Sequence, residues 1–218
     1  MQFEGKGINP DRQEQPHLHA VNFTPDEMWM LANDLGTDCI HIFKQSAGAS
    51  VISNEYKDLK LHDGAGPRHL CFSPCGNYAY LLSELSGEIF VMAYNAENGE
   101  EPLNIVQTLK ADTIDAGGSA DIHVSPDGKF LYASHRLEGD GLSIYAIAED
   151  GTLTRVGYQK TGIHPRNFAI SPDGRFILVA CRDSNVVQIF ARNATTGLLS
   201  DTNKKIEKEK PVCVIFAS

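Results

Sequence analysis

A turn signal preceded by an apolar residue recurs at near-constant spacing, and this limits the possible folds more than any other feature. Four segments align on one register: PHLHAVNFTPDEMWMLAND (16–34), GPRHLCFSPCGNYAYLLSE (66–84), SADIHVSPDGKFLYASHR (119–136) and HPRNFAISPDGRFILVACR (164–182). The apolar residue before each Ser/Thr-Pro pair is Phe23, Phe72, Val124 and Ile170, at spacings of 49, 52 and 46 residues. A repeat of that length marks a propeller or solenoid.

Each unit reads as strands. A short apolar strand such as Arg166–Ile170 leads into the turn, where Pro sets φ and Gly accepts a positive φ. A β-rich run follows, such as Lys129–Ser134 or Arg175–Cys181. Third strands are expected at Cys39–Phe43, Ile89–Tyr94, Leu142–Ile147 and Val186–Ala191. Turns at Asn98-Gly99, Asp150-Gly151 and Thr196-Gly197 then lead to outer strands such as Leu103–Leu109 and Leu153–Gln159. Four strands per repeat without a helical period is one propeller blade. The expectation is an all-β fold, one β-propeller domain over 1–218, with four complete four-stranded blades at 16–62, 63–115, 116–160 and 161–208. Residues 209–218 are read as a lone first strand of a further blade, since Phe216 follows Ile170 by 46 residues. The segment Met1–Gln15 is polar and holds no strand signal. Seven blades would need roughly 350 residues, so the chain is expected to form part of a seven-bladed ring. Its two unpartnered flanks and the apolar Pro211–Phe216 segment predict self-association.

Composition narrows the function classes. The formal net charge of −9 argues against a nucleic-acid partner but permits a locally positive site. No run of ~18 apolar residues indicates a membrane helix, and MQFEGKGINPDRQEQP lacks the apolar stretch of a secretory signal, so the expected compartment is the cytoplasm. The five cysteines, Cys39, Cys71, Cys75, Cys181 and Cys213, are odd in number and form no C-x-x-C pair; they read as buried reduced thiols. No G-x-S-x-G, P-loop, H-E-x-x-H or G-x-G-x-x-G motif occurs.

Propeller chemistry sits where the first strands converge on the central channel. Four residues before each register position stand His19, Arg68, Ala120 and Arg166; two earlier stand His17, Gly66, Gly118 and His164. Second strands end at Asp34, Glu84, Arg136 and Arg182, with one deletion allowed in the first unit. Arginine suits an anion through its planar fork, histidine can take a proton, and Glu84 can orient an arginine. This set fits lactone hydrolysis or formation on an anionic sugar acid or diacid, whose carbonyl needs activated water and whose oxyanion needs positive charge. The structural alternatives are that Arg68 and Arg166 tie neighbouring blades to carbonyls, and that His17 and His19 bind a metal, for which no third ligand is indicated. By strand parity His69 and His123 fall on the other face as packing residues. His41, His62 and the Lys204–Lys210 run read as surface, and Trp29 as blade core, like Tyr78, Phe130 and Phe176.

The motifs G-x-G-P-R-H-L (64–70), S-P-D-G-K/R-F (125–130, 171–176), L-L-S-E-L (81–85), A-S-H-R (133–136) and G-I-H-P-R-N-F (162–168), with R-Q-E-Q-P-H-L-H (12–19), together resemble the lactonase family of seven-bladed propellers. That family includes 6-phosphogluconolactonases and carboxymuconate cyclases, and the resemblance runs from about Gly5 to Ser218. It implies a cofactor-free hydrolase acting on a small anionic lactone, a phosphorylated sugar lactone in the first instance. A carboxymuconate-type cycloisomerase on the same site and a non-catalytic binding propeller are the alternatives. The family's His, Arg, Glu, Arg set maps to His19 (or His17), Arg68, Glu84 and Arg136, with His17 and Arg166 as substrate contacts. One departure is His135, which stands before Arg136 where the family commonly has Asn.

Overall fold

The repeated turn is built from its own side chains. In the third unit Ser125 Oγ donates to Asp127 Oδ1 at 2.6 Å and accepts from the Phe130 amide at 3.0 Å. Gly128 closes the turn at φ 71°, a conformation without penalty only for glycine. The fourth unit repeats this with Ser171, Asp173 and Gly174. The second places Cys75 where the others have Asp, with Ser73 Oγ 3.3 Å from its sulfur. The first unit has Glu27 where the others have Gly, held at φ 58°.

These turns organise a computed structural model that describes residues 2–45, 52–98 and 101–217. Four antiparallel meanders follow one another: β1 (Leu18–Phe23), β2 (Trp29–Asp34), β3 (Cys39–Gln45) and β4 (Ile52–Lys60); β5 (Pro67–Phe72), β6 (Tyr78–Ser83), β7 (Glu88–Tyr94) and β8 (Leu103–Lys110); β9 (Ser119–Val124), β10 (Phe130–His135), β11 (Gly141–Ile147) and β12 (Leu153–Lys160); β13 (Pro165–Ile170), β14 (Phe176–Cys181), β15 (Val186–Arg192) and β16 (Leu199–Glu207). Each set of four is one sheet in chain order. Among the described residues the only helix is a 3-10 turn at Arg182–Ser184. The expected Asn98-Gly99 turn lies partly outside the described residues.

The core lies between blades rather than inside them. Successive side chains of a strand leave opposite faces, and in the second strands both faces are apolar. Ala79 and Leu81 pack toward the first blade with Trp29, Leu31, Ile40 and Ile42. Tyr80 and Leu82 pack toward the third blade with Ile122, Leu131 and Tyr145. Tyr132 repeats the step toward the fourth, against Phe168, Ile177, Val179 and Phe190. This is why runs such as YAYLLS and FLYAS show no polar alternation. Buried tyrosine hydroxyls add a tie across two of the three joints: Tyr80 donates to the Gly151 carbonyl at 3.1 Å and Tyr132 to the Gly197 carbonyl at 2.7 Å.

Four expectations are corrected here. Residues 211–217 form no strand, because a first strand needs a second strand of its own blade to ladder with. The segment nevertheless follows the inter-blade pattern: the Val214 amide donates to Asn167 Oδ1 at 2.6 Å, as the Phe168 amide donates to Asp121 Oδ2 at 3.2 Å. His41 is 3 % exposed rather than at the surface. It sits between Asp58 (2.6 Å) and Asp34 (3.3 Å) under the ring of Phe3; burial pulls its pKa down, but the two carboxylates outweigh that and raise it. The polar N-terminal segment, strandless as expected, is docked: Gln13 is fully buried and its Nε2 donates to the Leu35 carbonyl and to Asp38 Oδ1 at 2.9 and 2.7 Å. His62 is exposed and meets Glu88. All five cysteines are free, but Cys75 and Cys213 are exposed rather than buried, since they lie in a turn and in the strandless tail.

His135, the departure before Arg136, faces the blade interior. Its ring nitrogens meet Ser119 Oγ and Ser143 Oγ, both at 2.8 Å, and burial lowers its pKa to about 4.

Two expectations follow. Glu27→Gly should relieve a left-handed backbone and stabilise the chain by about 1 kcal/mol, read as a higher urea midpoint; an unchanged or lower midpoint would mean no strain is held there. His135 takes up a proton on unfolding at any pH between about 4 and its unfolded value of 6.5. Its contribution is therefore neutral above that window, and stability falls as pH drops through it, by on the order of 3 kcal/mol at the acid end. In urea titrations across pH 4–7, His135→Gln should flatten this slope.

Candidate active site at the first-strand rim

The first strands do not run straight through the register. Pro67 pairs with Ser83 and His69 with Leu82, so Arg68 is an extra residue. The same irregularity falls between Leu18 and Ala20 and between Pro165 and Asn167, at His19 and Arg166. In β9 it falls between Ser119 and Ile122. A bulge re-aims its side chain out of the regular alternation, so His19, Arg68 and Arg166 occupy equivalent bulges in three blades.

Arg68 is 2 % exposed. Its Nε donates to Glu84 Oε2 at 2.7 Å, and its Nη1 donates to the Ala120 carbonyl of the next blade. The blade-tying reading of Arg68 and the site reading thus describe one side chain. Arg136 comes from the end of the third blade's second strand. Its Nε donates to the Gly118 carbonyl at 2.8 Å, and its Nη2 lies 3.4 Å from Glu84 Oε2. Glu84 is therefore shared by two arginines, and its other oxygen accepts from Arg12 Nη2 at 2.6 Å. Burial opposes charge on Glu84, but the bond from Arg12 and the charges of Arg136 and Arg68 prevail and hold its pKa below the usual carboxylate range. Burial lowers Arg136 to about 10.

Arg166 is half-buried and makes no hydrogen bond or ion pair among the described residues. It is close enough to act on His19, Arg68, Arg136 and His164 electrostatically. The His19 ring stands 5.1 Å from that of His69. Its pKa is lowered, by protein crowding the ring first and the charge of Arg68 second; the residue is itself exposed on its strand, so the charge of Arg68 is the firmer cause, and the imidazole is neutral at neutral pH. His17 does not join this group: its ring meets Glu14 at 3.2 Å on the exposed side.

Residue-by-residue placement corrects the sequence reading in three places. The second-strand equivalent of Glu84 and Arg136 in the first blade is Leu35, not Asp34: the amides of Leu35, Glu84, Arg136 and Arg182 all donate to the carbonyl at the −6 position. Asp34, one residue earlier, is buried against Thr37 and His41. His69 is not a packing residue on the far face. The bulge breaks the parity, and His69 lies between Arg68 and Asp121 (3.2 and 2.7 Å); His123 also bonds Asp121, at 3.0 Å. Arg12 belongs to no repeat and was not singled out as a site residue; its one sequence signal was its place as the first residue of the R-Q-E-Q-P-H-L-H motif. Among the described residues no group of three or more His, Cys, Asp or Glu side chains is placed to hold a metal ion. No helix among them is long and apolar enough to cross a membrane.

Comparison with known proteins gives one family. The model of the family described as "Lactonase, 7-bladed beta-propeller" matches residues 1–216. The 6-phosphogluconolactonase of Formosa agariphila is 43 % identical over 202 residues, covering 90 % of this chain and 57 % of that protein. The 6-phosphogluconolactonase of Bacillus subtilis is 33 % identical over 215 residues, covering 97 % and 60 %. This chain therefore spans less than two thirds of the length of these relatives. Among solved structures, a candidate 6-phosphogluconolactonase from Bacteroides fragilis superimposes with a TM-score of 0.95 at 48 % identity, covering all of this chain and 62 % of that one. The periplasmic gluconolactonase of Pseudomonas aeruginosa gives 0.87 at 31 %, covering 99 % and 61 %. With the repeat, the blades and the family match in agreement, the chain belongs to the lactonase family of seven-bladed β-propellers.

Proposed function

We propose that this chain carries the catalytic rim of a lactonase that hydrolyses a phosphorylated sugar lactone, as the names of its 6-phosphogluconolactonase relatives suggest. The observation that carries the reading is the charge imbalance at the rim. Arg12, Arg68 and Arg136 converge on the carboxylate of Glu84, and Arg166, which acts on Arg68 and Arg136 electrostatically, has no hydrogen-bond or ion-pair partner among the described residues. A partly buried positive excess favours an anionic ligand, and a phosphate supplies up to two negative charges.

In this reading Arg68 and Arg136 hold the anionic group with Arg166 as a second contact, and Arg68, fixed by Glu84, also faces the lactone carbonyl. Neutral His19 accepts a proton from water as its oxygen attacks that carbonyl. The oxyanion forms beside Arg68. Collapse breaks the ring C–O bond, and the proton on His19 passes to the leaving alkoxide. The products are a hydroxyl and a carboxylic acid, which loses its proton to solvent as the carboxylate, with no cofactor consumed. We place the reaction in the cytoplasm, which suits free thiols and a charged substrate that does not cross membranes. We further assign the open blade flanks to contacts between copies of the chain: Val21 and Phe23 are 54 % and 49 % exposed on the first, and Ile215 is 83 % exposed on the last.

Assay of a phosphorylated glucono-lactone tests the reading. His19→Asn should lower kcat by about a hundredfold or more. In the parent protein the acid limb should bend near pH 4, since the neutral ring is active and its pKa is about 4; a bend near the ordinary histidine value would remove His19 as the base. Arg166→Ala should raise KM about tenfold and cost under ~0.5 kcal/mol of stability, because the side chain supports nothing else. A large loss of stability with unchanged KM would make it structural. Light scattering should give a mass that rises with concentration; a constant monomer mass would remove the flank assignment.

A further inference from the structure

Two histidines stand behind the site arginines, and hydrogen-bond logic assigns their protons. Arginine has donors only. Arg68 Nη1 lies 3.2 Å from His69 Nε2, so that nitrogen carries the lone pair and the ring proton sits on Nδ1. Nδ1 lies 2.7 Å from Asp121 Oδ1, an acceptor. The second arginine has a partial counterpart. Arg136 Nη1 is 3.3 Å from His164 Nε2, while Asp183 is bonded by Arg182 and only approaches His164 Nδ1, at 3.2 Å, without a hydrogen bond. Burial and then the charge of Arg136 lower the His164 pKa, which keeps the ring neutral and able to accept.

We propose that His69 with Asp121 is a positioning pair for Arg68, and that His164 positions Arg136. Asp121 holds the His69 imidazole in the Nδ1–H tautomer, so that Nε2 accepts from the arginine and fixes the guanidinium plane toward the ligand. The proposal rests on reading the rim as an anion site. Neither histidine follows from the strand register: His69 is displaced by the bulge, and His164 has φ 62°, a left-handed backbone unfavourable to a non-glycine residue.

Asp121 is 2 % exposed and accepts five hydrogen bonds. His69 and the Ile122 amide meet Oδ1; His123, Asn167 and the Phe168 amide meet Oδ2. This asymmetry makes Asp121→Asn informative. The amide NH2 faces fewer donors on the Oδ1 side, and there it meets His69. The ring then turns its lone pair to Nδ1 and its proton to Nε2, against a donor of Arg68.

The test is 15N NMR of the histidine rings and of the Arg68 Nε–H, with calorimetric titration of inorganic phosphate. The parent protein should show His69 as Nδ1–H, and Arg68 Nε–H protected from exchange by Glu84. Asp121→Asn should switch the tautomer, speed Arg68 Nε–H exchange and weaken phosphate about tenfold. If that variant does not fold, His69→Leu against His69→Gln decides. Gln keeps an acceptor for Arg68 and should retain most protection and affinity; Leu should lose both. An Nε2–H tautomer in the parent, or equal behaviour of Leu and Gln, overturns the proposal. Arg68→Lys with unchanged phosphate affinity would overturn the anion-site reading alone, since tautomer and exchange still report on the positioning.

Discussion

A propeller blade has two apolar faces and can bury neither by itself. That constraint explains the composition of the second strands, where Leu81 and Leu82, one residue apart, serve two different joints. It also explains where polar groups are allowed. Between blades, each must bring its own partner, as Tyr80 and Tyr132 do with turn carbonyls of the following blade. Toward the channel the sheets end, and there bulges release side chains from the packing rule. His19, Arg68 and Arg166 occupy those released positions, and with Arg12 from the N-terminal segment and Arg136 from a second-strand end an acidic protein comes to hold three arginines on one glutamate.

The fold was legible because its cause is local and repeated. The Ser/Thr-Pro turns mark the start of each second strand, and the third-strand expectations meet β3, β7, β11 and β15 within a residue or two. Arg68, Glu84, Arg136, Arg166 and His19 could be picked out because the repeat superimposes them. What was not legible depends on departures from regularity. A period-2 argument cannot foresee that an inserted residue at Arg68 swings His69 beside it. A deletion allowed in an alignment could not show that Leu35, and not Asp34, takes the Glu84 position. His41 read as surface because its burial depends on Phe3, forty residues away and outside any repeat.

Electrostatically the rim is layered. Glu84 neutralises part of the charge of Arg68 and Arg136 directly, and Asp121 acts on Arg68 across an imidazole. Asp121 itself is kept ionised despite burial because bonds from His123 and His69 outweigh the loss of water. The acidic groups thus sit behind or beneath the arginines, while Arg166 remains unpaired. A substrate anion would meet positive charge first.

The inter-blade ties also bear on how the chain reaches and leaves this state. Within a blade, strands pair with their sequence neighbours; between blades, bonds such as Tyr80 to Gly151 span 71 residues and Arg12 to Glu84 span 72. Contacts of that kind let structure start at one joint and spread to the next, in the manner of a one-dimensional array. The second and third blades have neighbours on both sides, whereas the first and fourth rely on Phe3 and on the tail at Val214 and Phe216 to cover an outer face. Both faces of β6 and of β10 are packed against neighbouring blades. Amide protection would be graded along the chain, with β6 and β10 exchanging last.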